Sequence, residues 1–308
     1  MESLMIAADL HNHSTASDGE LRPAAVVEEA AARGLTAVAL TDHDTLAGLD
    51  EALAAGPQAS IDVIPGVELT LRLKRPEFVG SLHLLLYFTK ELFADRNFRK
   101  EMEELFAAGR GPALVRDRTA AINRQFGPKA AHPLLQRELQ AEEIESFGRN
   151  ITRRHFARAL SENHGLDKAR IDAIIGNRSP AYLPSGIDPE HFIPIRKQYP
   201  LLVFLAHPAA GSYPPPSHYR EVLPPWPLVE SLLPEFLAPE NIALDGLEIE
   251  YPGHLEEHKK ALRTLAHDRK LLISGGSDGH DLKDRPYGVC GLGQEDFSRF
   301  NKAFSELV

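Results

Sequence analysis

The feature that most constrains this chain is a series of short apolar runs, each leading into a metal-binding residue type. Leu4 to Leu10 leads into His11 and His13, Thr36 to Leu40 into Thr41-Asp42-His43-Asp44, and Ile61 to Val67 into Glu68. Leu201 to Ala206 leads into His207, and Leu271 to Ser274 into Ser277-Asp278-Gly279-His280. Apolar runs of this length bounded by polar turns read as buried strands. Side chains at i and i+2 of a strand point to the same side, so His11 and His13 converge on one point beyond the strand end. A chain that ends strand after strand in histidine or carboxylate builds a polynuclear metal centre.

Helical stretches separate the runs. Pro23 favours a helix start, and the alanine-rich Ala24 to Arg33 stops at Gly34. Asp44 or Thr45 caps a second helix running to about Ala55. Alternating strand and helix with short connections implies a parallel sheet, and its repetition implies a barrel. Leu69 to Phe88 departs from this rhythm: the polar interruption Arg72 to Glu77 suggests a hairpin whose second strand, Ser81 to Phe88, carries His83 near its beginning. From Glu91 to about Ile175 the composition is helical, at Phe93–Ala108, Ala113–Phe126, Arg137–Phe147, Thr152–Asn163 and Asp167–Ile175. The expected organisation is therefore an α/β barrel domain from residues 1–90 and 180–308, with 91–179 inserted as a mostly helical cap domain. Further helices are expected at Asp188 or Pro189 to Gln198, Leu228–Leu237, His254–Asp268 and Asp296–Leu307, with Gly288 to Leu292 as a last apolar run. The proline-rich stretch 211–227 reads as a rigid irregular loop, with a Pro-rich partner ligand as the alternative.

A length of 308 residues suits a barrel carrying an insertion. The formal charge of -10 argues against coating nucleic acid, which calls for a basic face. It leaves small anionic substrates open, because bound divalent cations invert the local field. The single Cys290 rules out an internal disulfide and a cysteine zinc site, and reads as a buried small apolar residue. The N-terminus lacks a basic n-region and no stretch has the length of a membrane span, so a soluble cytoplasmic protein is expected, with no membrane and no protein partner inferred.

Nine residues form the candidate ligand set: His11, His13, Asp18, His43, Glu68, His83, His207, Asp278 and His280. Nine ligands exceed what one ion uses, so two or three divalent ions are implied, and mixed imidazole and carboxylate donors suit manganese, zinc or iron better than magnesium or calcium. Glu68 is the candidate bridge, since the two oxygens of a carboxylate can bind separate ions. Two ions about 3.5–4 Å apart acidify a shared water and clamp the attacking and leaving oxygens of a displacement at phosphorus. Attack of that bridging hydroxide on a phosphate ester is the leading reaction, with amide hydrolysis chemically open. Asp44 either relays a proton or caps a helix. The other eight histidines, His132, His155, His164, His191, His218, His254, His258 and His267, lack the pattern and are expected to be mostly solvated. In Thr152-Arg153-Arg154-His155-Phe156-Ala157-Arg158, Arg154 and Arg158 share a helix face while Arg153 and His155 point elsewhere; phosphate recognition and a solvated face are both open for them.

With Asp9-Leu10-His11-Asn12-His13, Thr41-Asp42-His43-Asp44, Gly66-Val67-Glu68, His83, His207-Pro208 and Ser277-Asp278-Gly279-His280 in this order, the chain resembles the PHP (polymerase and histidinol phosphatase) superfamily from about Ala8 to His280. The resemblance implies a distorted seven-stranded β/α barrel with a two- or three-metal centre. One ion would be held by His11, His13, Glu68 and Asp278, a second by Glu68, His83 and His207, and a third by Asp18, His43 and His280. Asp9 would orient ligands rather than bind metal. Many relatives carry histidine where Asp18 stands. Arg153-Arg154-His155, Tyr182-Leu183-Pro184 and Ala206-His207-Pro208 look like the subgroup with a helical insertion, which hydrolyses nucleoside 5'-monophosphates, 3',5'-bisphosphonucleosides or short RNA from its 5' end. That implies that Arg153 and His155 reach the substrate phosphate and join Asp44 as candidate catalytic residues. Ala209-Ala210-Gly211 follows His207-Pro208 where Gly-Arg is expected, which removes one phosphate contact. The expected activity is a metal-dependent phosphoesterase acting on a small phosphorylated substrate, most simply a nucleotide. The alternatives are a 5'-3' exoribonuclease on short oligonucleotides and a non-catalytic metal-binding module.

Overall fold

The computed structural model describes residues 6–147, 151, 153–212 and 222–307. Seven strands follow one another in sheet order: β1 (Ala8–Asp9), β2 (Ala37–Leu40), β3 (Asp62–Arg75), β4 (Phe78–Tyr87), β5 (Leu202–Leu205), β6 (Gly246–Glu250) and β7 (Leu272–Gly275). β1, β2 and β3 pair in parallel, β3–β4 and β4–β5 are antiparallel, and β5, β6 and β7 are again parallel. The ends approach each other through Leu10 N–H donating to Gly275 O (3.0 Å) and a parallel bridge between Asn12 and Gly279. The result is the expected nearly closed, distorted seven-stranded barrel with surrounding helices.

The period of two along each strand separates two apolar layers. Val38, Leu40, Val67, Leu69, Leu71, Leu82, Leu84, Val203 and Leu205 face outward into the larger core beneath the helices. Ala8, Leu10, Ala37, Ala39, Ile64, Leu85, Tyr87, Leu202 and Phe204 face inward, where Phe297 and Phe300 of the C-terminal helix Gln294–Ser305 join them. Tyr87, Phe204 and Phe300 meet edge-on or tilted at centroid distances of 5.1–5.8 Å and fill the barrel floor. Gly246 is needed there, since a Cβ at that position would lie 2.2 Å from the Phe204 ring.

Several local expectations change. β3 does not end at Glu68. Alternation of Val67, Leu69, Leu71 and Leu73 carries it on to Arg75, so the turn falls at Pro76-Glu77 and both Glu68 and His83 lie inside strands. The second helix starts at Leu49 after Gly48, and neither Asp44 nor Thr45 caps it. Asp44 takes a left-handed conformation (φ 46°), and its carboxylate is used elsewhere. Leu292 makes only an isolated antiparallel bridge to Ala8, so the Gly288–Leu292 run adds no strand. Cys290 is half-buried rather than buried. The stretch 189–198 breaks into a 3-10 turn and the helix Ile193–Gln198, and the helix expected at Arg137–Phe147 shrinks to Ala141–Glu145.

Between β4 and β5 the chain is helical: Lys90–Ala94, Arg96–Arg110, Pro112–Phe126, Ala141–Glu145, Arg153–Glu162 and Lys168–Ile175. Phe98, Met102, Leu105 and Phe106 of the second of these pack into the larger barrel core. From Val115 to Ala181 the segment has an apolar cluster of its own, built on Ile122, Leu139, Ile144, Phe156, Leu160 and Ile174. The returning chain pairs with β3 at Ile187, whose N–H donates to Thr70 O (3.0 Å). Most of the proline-rich stretch, 213–221, lies outside the described residues. Among the described residues no helix is long and apolar enough to cross a membrane.

Candidate metal centre

The inward face that carries the floor also carries the site. β3 presents Ile64, Gly66, Glu68 and Thr70 inward, and β4 presents Tyr87, Leu85, His83 and Ser81. The antiparallel register pairs Glu68 with Leu85 and Thr70 with His83, which makes Glu68 and His83 diagonal neighbours on one face. His83 Nδ1 accordingly lies 2.8 Å from Glu68 Oε1. His11 and His13 follow β1, His43 follows β2, His207 follows β5, and Asp278 and His280 follow β7. Gly276 has to lack a side chain, because a Cβ would meet that of His11 at 2.4 Å.

Glu68 is 1% exposed and each of its oxygens faces a different set of imidazoles. Oε2 lies 3.2 Å from His11 Nε2, 3.1 Å from His13 Nε2 and 3.0 Å from His43 Nδ1. Oε1 lies 2.8 Å from His83 Nδ1 and 3.0 Å from His207 Nε2. Asp278 Oδ1 completes the first set, 3.5 Å from His11 Nε2 and 3.1 Å from His13 Nε2. Asp18, half-exposed on the loop after β1, faces His280 Nε2 (3.3 Å) and His13 Nδ1 (3.8 Å). The potential ligand atoms fall into three groups: His11, His13, Glu68 and Asp278; His43, Glu68 and His83; and His13, Asp18, His43 and His280. All nine residues singled out in the sequence therefore meet at one end of the barrel, where His207 also contacts Glu68.

The donor set fits divalent ions. For a metal–nitrogen bond of about 2.0–2.1 Å, neighbouring ligand atoms are separated by about 3.0 Å in octahedral and about 3.4 Å in tetrahedral coordination, matching the spacings around Glu68. Among the described residues, His13 Nδ1, His43 Nδ1, His280 Nε2 and Glu68 Oε2 are buried with no partner in hydrogen-bonding geometry, even though His43 Nδ1 and Glu68 Oε2 lie 3.0 Å apart. Uncompensated burial of such groups is costly, and divalent ions bound by these groups would relieve it. Electrostatic coupling is strong. Burial opposes charge on His13, yet Asp278 and Glu68 push it up to about 9, while burial takes His43 down to about 3 despite the nearby Glu68 carboxylate. Burial likewise opposes ionisation of Glu68, but His43, His11 and His83 hold it well below the usual carboxylate range.

Other carboxylates hold the loops. Asp9 Oδ1 accepts from Ser277 N–H (2.9 Å) and Oδ2 from Gly288 N–H (2.9 Å), tying β1 to the loop carrying Asp278 and matching its expected orienting place. Asp42 accepts from Ser14 N–H (2.7 Å), Ser14 Oγ (2.7 Å) and Ser17 Oγ (2.6 Å), fixing the loop that carries Asp18. Asp44 Oδ1 accepts from Thr70 N–H (2.7 Å), and the other oxygen is paired with Arg110, so this carboxylate is already engaged. His280 donates from Nδ1 to Asp278 O (2.7 Å), which leaves Nε2 free to ligate.

Three participants went unread in the sequence. Glu248, fully buried in β6, lies inside the run Ala243–Ile249 rather than past its end, and with Glu250 two residues further on in the same strand it carries no local signal. Arg285 brings its guanidinium within 3.7 Å of Asp278 Oδ1, on a turn closed by Asp281 Oδ1 accepting from Lys283 (2.7 Å), Asp284 (2.5 Å) and Arg285 (3.0 Å) N–H. His254, expected to be solvated, is 5% exposed; it donates from Nδ1 to Ile249 O (3.0 Å) and accepts from Ala209 N–H (3.2 Å). The His164 side chain is likewise buried, at 2% exposure. In the helical segment, Arg153 donates to Asn177 Oδ1 and stacks on Tyr182 at 5.7 Å, while His155 stacks on Phe147 at 5.7 Å.

The comparisons agree with this architecture. The model of the PHP domain family matches residues 9–125. A 5'-3' exoribonuclease of Haemophilus influenzae is 29% identical over 88% of this chain and 89% of its own length. A 3',5'-nucleoside bisphosphate phosphatase of Chromobacterium violaceum is 48% identical over 22% of this chain and 24% of its own. The crystal structure of a candidate metal-dependent phosphoesterase from Bifidobacterium adolescentis superposes with a TM-score of 0.63 at 26% identity, covering 96% of each chain. The PHP domain match thus spans the part of the chain that carries His11, His13, Asp18, His43, Glu68 and His83, and along most of its length the chain is similar to an exoribonuclease and to a candidate metal-dependent phosphoesterase of the same fold.

Proposed function

We propose that the centre hydrolyses a phosphomonoester of a small nucleotide, a 5'-monophosphate or a 3',5'-bisphosphate, with two or three manganese, zinc or iron ions. The observation that carries this reading is Glu68, whose two oxygens face separate imidazole sets at the open end of the barrel. His11, His13, Glu68 and Asp278 would hold one ion, Glu68, His83 and His207 a second, and Asp18, His43 and His280 a third, and such ions would supply Lewis acidity at this end of the barrel. The chain's own groups do the rest. Arg285 offers a guanidinium at the rim of the ligand set, suited to phosphate oxygens. Arg153 and His155 position the phosphate from the segment 91–179, which serves as a cap over the barrel formed by 1–90 and 180–308. Asp44, held by Arg110 and Thr70, keeps the adjacent His43 in place, and a proton-relay role would require Arg110 to release it. The complete ligand set disfavours a non-catalytic module.

A second reading, 5'-3' hydrolysis of short RNA, draws support from the exoribonuclease relative aligned along most of the chain. Purified protein loaded with manganese, zinc or iron and offered mononucleotides, 3',5'-bisphosphonucleosides and dinucleotides separates the two. Release of inorganic phosphate from the first two substrates is expected. Mononucleotide release from dinucleotides alone favours the second reading, and no product from any substrate overturns both.

A further inference from the structure

Glu248 touches both halves of the centre. Its Oε1 lies 3.0 Å from His11 Nδ1, and its Oε2 accepts from the His207 N–H at 2.7 Å. It comes from β6, which supplies none of the nine expected ligands, and it is 0% exposed. A carboxylate only accepts hydrogen bonds, so both groups facing it must donate. His11 therefore carries a proton on Nδ1, and Nε2, which faces Glu68 Oε2, His13 and Asp278, is the nitrogen that would ligate an ion. The second contact meets a strained residue: His207 has φ 29°, in the left-handed region that disfavours side chains. The bond to its amide holds that conformation, from which Nε2 reaches Glu68 Oε1.

We propose that Glu248 is a positioning residue that couples the two ligand sets flanking Glu68, by fixing the His11 tautomer on one side and the His207 backbone on the other. The inference rests on the cluster being a metal centre and is independent of the substrate. Glutamine is the informative replacement. If its oxygen stays on the His207 amide, its NH2 faces His11 Nδ1 and demands an acceptor there, which puts the proton on Nε2 and blocks ligation. If it turns the other way, two donors meet at His207. Aspartate keeps the charge but is one methylene shorter and reaches one partner well.

The test compares wild type, Glu248→Gln and Glu248→Asp in zinc titrations, with thermal melts as a folding control and ring-nitrogen NMR of histidine-labelled, zinc-loaded wild type. Expected are a zinc affinity lower by about 10–100-fold in Glu248→Gln, partial recovery in Glu248→Asp, and a His11 ring protonated at Nδ1 and metal-bound at Nε2. Equal zinc affinity in wild type and a folded Glu248→Gln overturns the proposal. Should Glu248→Gln fail to fold, the wild-type spectrum decides, and metal on Nδ1 of His11 overturns it. Wild type that binds no zinc, manganese or iron overturns the metal-centre reading itself and this inference with it.

Discussion

The mouth of the barrel and the helical segment between β4 and β5 carry their polar residues in opposite ways. At the mouth, His11, His13, Glu68 and Glu248 are at most 1% exposed, and Asp9, Asp42 and Glu248 fix the chain around them through backbone amides. In the helical segment most of the ion pairs reach the surface: Arg158 and Glu162 are 59% and 54% exposed and Arg137 is 51% exposed, while Arg110, paired with Asp44, is the exception nearest the barrel. Exposed pairs contribute about 0–1 kcal/mol and rearrange readily, whereas a buried cluster stripped of one partner leaves uncompensated charge. The mouth is therefore built to hold one geometry and the segment is freer to adapt; under the proposed function the chemistry belongs to the first and discrimination among substrates to the second.

The largest effect should come from removing the shared carboxylate. Glu68→Ala is expected to lose about 10^2–10^3-fold in phosphate release, with metal content falling in parallel. Assay together with elemental analysis checks this, and full activity would end the idea that the two ligand sets work as one. Next comes the floor. Phe300→Ala removes a fully buried ring packed on Tyr87 and Phe204 and should cost about 3–5 kcal/mol in denaturant unfolding. A loss under about 1 kcal/mol would mean that the C-terminal helix does not brace the barrel floor.

In the helical segment the effects should be smaller and of another kind. Arg153→Ala is expected to raise KM or lower kcat for nucleotides by about 10-fold, the worth of one hydrogen bond to a charged group, with metal content unchanged. Unchanged steady-state kinetics would return Arg153 to its contacts with Asn177 and Tyr182. The smallest effect concerns Glu143, which accepts from Arg137 at 2.7 and 2.8 Å and from Asn163 at 3.0 Å. The Arg137 bond holds its carboxyl down to about 2. A depressed carboxylate stabilises the fold above its ordinary value of 4.5, and that stability fades as pH falls from 4.5 toward 2. Melts of wild type and Glu143→Gln should differ at pH 7 and converge near pH 2; a constant difference would refute the pairing.

The same contrast explains what could be read from the sequence. Most of the nine candidate ligand residues were legible because histidine or carboxylate just past a strand interrupts an apolar pattern, although Glu68 and His83 lie inside β3 and β4, and the barrel followed from the rhythm of those interruptions. Glu248 was hidden because it sits within a run, where nothing local tells a buried orienting carboxylate from an ordinary strand residue; only the three-dimensional approach of His11 and His207 gives it meaning. Asp44 looked like a helix cap because local chemistry permits it, but Arg110, 66 residues later, and the Thr70 amide draw its carboxylate away. The length of β3 was underestimated for a related reason: a charged Glu68 reads as a strand end unless the alternation of Val67, Leu69 and Leu71 is followed through it.

The central claim is that Glu68 stands between ions, and crystals of the metal-loaded protein measured at the metal absorption edge test it most directly. Anomalous peaks are expected on both sides of the Glu68 carboxylate, one beside His11, His13 and Asp278 and one beside His83 and His207. A single peak, or peaks away from Glu68 in protein that elemental analysis shows to be loaded, would contradict it.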